Sequence, residues 1–121
     1  MKTNRKKGEL GEAQALCFLE KKGFRILEQN FRAERGEIDL IALDGKTLVF
    51  VEVKFSTQNG YGPPELRVNK RKQHQLAKIA QAYLETHPVQ FEECRFDVIA
   101  IESSKNHSRI YHIQDAFWVD T

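Results

Sequence analysis

A chain of 121 residues is long enough for one domain, expected to span 1–121 and to bury about two-thirds of its extended surface. Hydrophobic residues at 40% leave material for a core, and no apolar run approaches the roughly 20 residues of a membrane span, so no membrane partner is expected. A net charge of +2 is too small to announce a nucleic-acid partner, so only the placement of charge can speak to one. The two cysteines, Cys17 and Cys94, lack metal-ligand spacing, and the basic start is followed by no apolar leader, which together fit reduced thiols in a cytoplasmic protein.

Residues 4–22 read as a helix: Leu10, Ala13, Leu16, Cys17 and Leu19, with Phe18 beside them, give an apolar stripe that stops at Gly23. Glu12 stands one turn before Leu16 and reads either as lying along the buried edge of that stripe or as a plain helix-surface glutamate. Residues 24–31 read as a strand with Phe24, Ile26 and Glu28 on one side, and 32–35 as a polar loop. A hairpin follows, Gly36 to Ala42 and Thr47 to Lys54 around Asp44-Gly45. Residues 55–64 carry Gly60, Gly62, Pro63 and Pro64 and read as a loop beside the hairpin's open end, placed either to handle substrate or merely to connect.

A second helix, from 68 or 69 to 85, has a core stripe of Leu76, Ile79, Ala80, Tyr83 and Leu84. Its first turns hold Lys70, Arg71 and Lys72, just after Arg67. Cations there oppose the helix dipole, which a nearby phosphate backbone would explain. A solvated basic face is the plainer explanation. Lys2, Arg5, Lys6, Lys7, Arg32 and Arg35 could extend the basic surface. Residues 95–102 read as a buried strand, 103–108 as a turn, 109–113 as a strand, and 115–119 as an apolar tail closing over the core. His74, His87, His107 and His112 show no metal-binding spacing and are read as structural or surface residues.

The hairpin carries the chemistry. Strand alternation puts Glu37, Asp39, Ile41 and Leu43 on one face with Lys46, Leu48, Phe50, Glu52 and Lys54; Ile38, Leu40, Ala42, Val49, Val51 and Val53 form the apolar reverse. A two-residue Asp44-Gly45 turn sets Asp39 opposite Phe50 and Glu37 opposite Glu52. A four-residue loop would set Asp39 opposite Glu52 and keep the same facing. Clustered carboxylates repel, and a divalent cation with oxygen ligands is the economical counterweight. Asp39 and Glu52 can hold Mg²⁺ or Mn²⁺, the Val53 carbonyl can add a ligand, and Lys54 can position or deprotonate a water. Glu12 supplies a further acid. Glu37 is open between coordinating metal and pairing with Lys54 or an arginine.

Gly8-x-x-Gly11-Glu12-x-x-Ala15, Gly36-Glu37-Ile38-Asp39-Leu40-Ile41-Ala42, Phe50-Val51-Glu52-Val53-Lys54, Lys70, Ala82-Tyr83-Leu84 and Arg95-Phe96-Asp97-Val98 resemble the YraN family. These small bacterial proteins are similar to the PD-(D/E)xK nuclease superfamily and, within it, to Holliday-junction resolvases. The resemblance covers nearly the whole chain. It implies an α/β restriction-endonuclease-like core, a mixed sheet of four to five strands flanked by helices. It gives catalytic roles to Asp39, Glu52 and Lys54, and matches Glu12 to a helix-borne acid. Ile38 stands where the superfamily's name has proline, and Phe55-Ser56-Thr57 lacks the arginine that relatives carry after the lysine.

The reading that follows is a metal-dependent phosphodiesterase acting on DNA, branched or damaged DNA included, with Lys70, Arg71, Lys72, Arg35 and Lys7 on phosphates. One alternative is a nucleic-acid-binding module that keeps the fold and cuts little. Another is an adaptor whose acidic cluster is only an ion-pair network. Resolvase-like relatives work as dimers, which leaves a homodimer open.

Overall fold

The chain reverses at Gly45, whose φ of +63° few other residues adopt, to join β2 (Gly36–Asp44) to β3 (Thr47–Thr57). The remaining elements are α1 (Lys2–Lys21), β1 (Arg25–Ala33), α2 (Lys70–Thr86), β4 (Glu93–Ser103) and β5 (Ser108–Phe117). The computed structural model describes residues 2–57, 68–103 and 107–119, with side chains described from residue 10 to 55 in the first stretch. Most of the expected 55–64 loop, Arg67 and part of the 103–108 turn lie outside the described residues.

The strands form one mixed sheet in the order β1-β2-β3-β4-β5, antiparallel except for the parallel β3–β4 pair. A parallel pair needs a crossover, and α2 lies in the connection between its strands. Parallel pairing continues through Phe55↔Ile101 to Thr57↔Ser103, so β3 outruns its expected end at Lys54. At the other edge β5 pairs as far as Phe96↔Phe117, past an irregularity next to Asp97. The expected 115–119 tail is therefore largely strand, and Trp118, 79% exposed, does not close over the core.

The hairpin register differs from the two-residue Asp44-Gly45 turn. Asp44 pairs with Thr47, and the reversal falls on Gly45-Lys46, one residue later. Asp44 keeps its place in the ladder and turns its carboxylate to Arg95 (3.1 Å). Continued outward, this register brings Asp39 abreast of Glu52, the pairing of the four-residue alternative.

Each face of the sheet carries a helix. Ala15 and Leu19 of α1 pack on Leu40, Ala42, Val49, Val51, Ile99 and Ile101. On the opposite face Leu76, Ile79, Ala80 and Tyr83 of α2 pack on Ile38, Ile41, Leu48 and Phe50. The α2 stripe is as expected. The α1 stripe is displaced: Gly11, Ala15 and Leu19 are buried, Leu16 and Phe18 partly so, while Ala13 and Cys17 are exposed and Leu10 is 61% exposed. The cause is close approach, since a Cβ on Gly11 would lie 3.0 Å from Phe55. On β1 an irregularity between Ile26 and Glu28 sends Leu27 to the α2 layer, and Glu28 does not share the side of Phe24 and Ile26. Two helices on a five-stranded mixed sheet are consistent with a restriction-endonuclease-like core.

Candidate active site

Strand alternation fails at one level of β2, and the site is built there. Ile38 packs in the α2 layer and Leu40 in the α1 layer, so residues two apart lie on opposite sides, against the expectation that both back the hairpin. Opposite this level Asn30 of β1 is left-handed (φ +51°), and the β1–β2 pairing passes from Gln29↔Leu40 to Phe31↔Ile38 without an Asn30–Asp39 pair. The β2–β3 ladder also ends here, at Leu40↔Val51. Beyond it the Val53 N–H donates to the Asp39 carboxylate (2.7 Å to Oδ2). The hairpin thus opens into a fork with Asp39 across its mouth. A strand residue's N–H and C=O project to the same side, so the Val53 carbonyl faces the same gap.

Three carboxylates meet in the fork, and a fourth, Glu52, lies beside one of them. Asp39 and Glu52 are in hydrogen-bonding contact. Ligand oxygens of Glu12, Glu37 and Asp39 lie within 4.8 Å of one another. Glu12 arrives from α1, held near the sheet by the Gly11–Phe55 approach. Glu37, the residue left open by its sequence, joins this group and also pairs with Arg32 (3.7 Å). Burial first, then the Glu52 charge, its contact with Glu52 and the Glu12 charge together push the Asp39 carboxyl up to about 8 despite the pull of the Val53 N–H. Burial and the neighbouring acids thus favour the protonated form of Asp39.

Two lysines answer the acids. Lys54 and Lys72 place their ammonium groups 3.7 and 3.6 Å from the same Glu52 oxygen, Oε2, and Glu52 is itself buried. Lys72, grouped by sequence with the phosphate-contacting cations, sits at the acidic site instead. It is in the first turn of α2, where its N–H is capped by Asn69 (2.8 Å). Among the other basic residues, Arg35 and Arg71 line one groove, and Lys70 is exposed with its carbonyl taken by His74 Nδ1 (2.8 Å). Lys7 lies within α1, but its side chain is outside the described residues.

The donor set fits a hard divalent cation. Every candidate ligand is a carboxylate or carbonyl oxygen, the choice of Mg²⁺ and Mn²⁺ rather than of softer metals. Glu12, Glu37 and Asp39 would hold it, with the Val53 carbonyl beside them; Glu52, expected from the sequence as a ligand with Asp39, adjoins Asp39 but stands outside that group, its Oε2 taken by Lys54 and Lys72.

A second acidic centre lies on β4. Asp97, fully buried, accepts from Arg95 Nε (2.9 Å), the Asp115 N–H (3.0 Å) and His112 Nε2 (2.7 Å). The Lys22 ammonium is 2.8 Å from His112 Nδ1 and can only donate, so Nδ1 accepts and Nε2 carries the proton toward Asp97. Burial alone would raise the Asp97 carboxyl, but His112, Arg95 and the Asp115 N–H hold it below the usual carboxylate range. His112 is structural, as expected. The role of Asp97 was not read from sequence, although a lone aspartate inside Phe96-Asp97-Val98-Ile99 was a signal, since a buried charge needs partners.

Comparison with known proteins gives a match of the uncharacterised protein family UPF0102 to residues 11–101. A UPF0102 protein of Syntrophus aciditrophicus is 47% identical over 117 residues, covering 97% of this chain and 92% of that protein. One of Geobacter metallireducens is 48% identical, with 94% and 93% covered. Another, of Geotalea daltonii, is 49% identical, with 94% and 91% covered.

Proposed function

This chain belongs to the UPF0102 family, the YraN family its motifs resemble, and we propose that it is a cytoplasmic, Mg²⁺- or Mn²⁺-dependent phosphodiesterase acting on DNA, branched or damaged DNA included. One observation carries the reading: Glu12, Glu37 and Asp39 converge where the hairpin ladder ends, with Glu52 and its partner Lys54 beside Asp39. Nothing in the packing of the sheet requires these carboxylates to gather there, and their mutual repulsion weakens the fold. When bound, the cation would supply charge neutralisation at the phosphorus oxygens and a lowered proton affinity for the attacking water.

The chain's own groups do the rest. Asp39 gives up its proton and keeps its orientation through the Val53 N–H. Glu52 is fixed between Asp39 and the lysines. Lys54, an ammonium, orients the water and the phosphate oxygens as a donor, and Lys72 is the second cation beside the phosphate. The water oxygen bonds to phosphorus and releases a proton to solvent, the bond to one sugar oxygen breaks, and that oxygen takes up a proton. No helix among the described residues is long and apolar enough to cross a membrane.

The test is incubation of purified protein with linear, nicked and four-way-junction DNA, with Mg²⁺, Mn²⁺ or chelator. Parallel reactions use Asp39→Ala, Glu52→Ala and Lys54→Ala. Metal-dependent cleavage lost in all three variants supports the reading, and cleavage that survives in all three comes from a contaminant and sinks it. Binding without cleavage would favour the second reading, a DNA-binding module; the basic groove beside the site, which needs no cation, is the observation on its side.

A further inference from the structure

A trough of about 790 Å³ opens beside the fork, lined by Glu34, Arg35, Arg71, His74, Gln75 and Lys78. One wall is α2, where residues 71, 74, 75 and 78 share a face distinct from the buried Leu76, Ile79, Ala80 and Tyr83. The other is the β1–β2 turn. Ala33 pairs with Gly36, which leaves Glu34 and Arg35 as the central residues, both left-handed at φ +50° and +62°. Such a turn ordinarily takes Asn-Gly, because a side chain at positive φ is strained. Here it carries two long charged side chains. The turn is pressed on α2: Gln75 Nε2 donates to the Arg35 carbonyl (3.4 Å), and a Cβ on Gly36 would lie 2.6 Å from that same nitrogen.

A second, independent feature runs against local stability. The first turn of α2 holds no acid and begins Lys70-Arg71-Lys72, cations at the positive end of the helix dipole. A strained turn and a mischarged helix start thus set Arg35, Arg71 and Lys78 around one concavity, with Glu34 the only acid among the described residues of its lining. The two-residue hairpin demands the left-handed backbone, but it does not demand charged side chains there, nor cations opposite them on α2. The trough also leads somewhere. A recess of about 540 Å³ lined by residues 32–37 carries its wall from Arg35 to Glu37, a member of the acidic group.

We infer that this trough binds the phosphates of a DNA strand flanking the scissile phosphate and fixes the strand on the Glu37 side of the fork. The inference rests on the nuclease reading for what occupies the fork, but the trough's own contacts need no cation. Arg35 and Arg71 offer planar donors that match pairs of phosphate oxygens, and Lys78 adds a point charge. Such contacts position a backbone and carry no sequence information.

The test is fluorescence anisotropy of a labelled 20-nucleotide DNA strand and the corresponding duplex, in chelator so that nothing is cut, over a range of salt. Arg71→Ala and Lys78→Ala should each weaken binding about 5- to 10-fold and lower the log–log salt slope by about 0.7 for the strand or 0.9 for the duplex per lost phosphate. Arg35→Gly should weaken binding while raising the melting temperature, since glycine relieves the turn; loss of fold therefore cannot mimic the result. Lys46→Glu, at the far end of the hairpin and paired with Glu92, should bind as the wild type does. Affinities within twofold of wild type in all three trough variants, or an equal loss in Lys46→Glu, overturn the inference. Cleavage in Mg²⁺ distinguishes the two claims. Trough variants that bind normally while the wild type cuts overturn the trough and leave the hydrolysis, and trough-dependent binding by a protein that never cuts does the reverse.

Discussion

Asp39 and Asp97 are aspartates set into neighbouring parts of one sheet, and their surroundings are opposite. Asp97 is ringed by donors: Arg95, His112 and the Asp115 N–H. Asp39 has the Val53 N–H and is otherwise surrounded by the acids Glu52, Glu12 and Glu37. A buried carboxylate that serves the fold is satisfied by the fold. One that is left among its own kind is not satisfied by the fold in that way, and the proposed divalent cation would answer it.

The largest effect that separates them is on catalysis. Asp39→Ala and Glu52→Ala should each lower metal-dependent cleavage by at least about 10³-fold, whereas Asp97→Asn should leave the rate per folded molecule near wild type. Steady-state cleavage normalised to the folded fraction measures both, and equal losses would erase the distinction. Next comes stability. Asp97→Ala strands Arg95 and His112 and should cost about 3–5 kcal/mol, read from urea unfolding.

Stability against pH is the third contrast, and the two groups act with opposite signs. The Asp39 carboxyl lies at about 8 in the fold against 3.8 free, so its contribution is full below the free value and is lost as pH rises toward 8. The Asp97 carboxyl is lowered, so its contribution is present above 3.8 and is lost as pH falls through the folded value. Cation-free protein should therefore lose stability between about pH 4 and 8. Asp39→Asn should flatten that decline and raise the melting temperature at pH 8 by about 5–10 °C, the equivalent of about 1–2 kcal/mol. A wild-type melting temperature that rises across this interval would contradict the assignment. The smallest effect belongs to Lys72→Met, which removes a half-exposed ion pair and should change stability by under about 1 kcal/mol while lowering cleavage.

The chemistry was more legible in the sequence than the geometry that delivers it. On β3, Glu52 and Lys54 keep their shared face through a register shift of two, so the misplaced turn did no harm there, and Asp39 meets Glu52 at the break in β2 alternation. Glu12 was legible because helical spacing fixes its edge whether the stripe starts at Leu10 or Gly11. The opening of the fork was hidden. It depends on Asn30 taking a left-handed conformation across from Asp39, a choice that local propensity does not dictate. Lys72 was hidden for a related reason, since only the docking of α2 on Ile38 and Phe50 brings the first turn of that helix to Glu52. The same docking sets His74 and Lys78 beside Arg35, a grouping that the periodicity of α2 hinted at once Arg71 was in view.

The central proposal is that a divalent cation binds at Asp39 and displaces its proton to the buffer, and Mn²⁺ titration calorimetry at pH 7 in buffers of different ionisation enthalpy tests it directly. The wild type should take up Mn²⁺ with release of about one proton per site, the Asp39 proton, and Asp39→Asn should bind weakly with no release. Equal uptake by the two proteins, or no uptake by the wild type, would contradict the account.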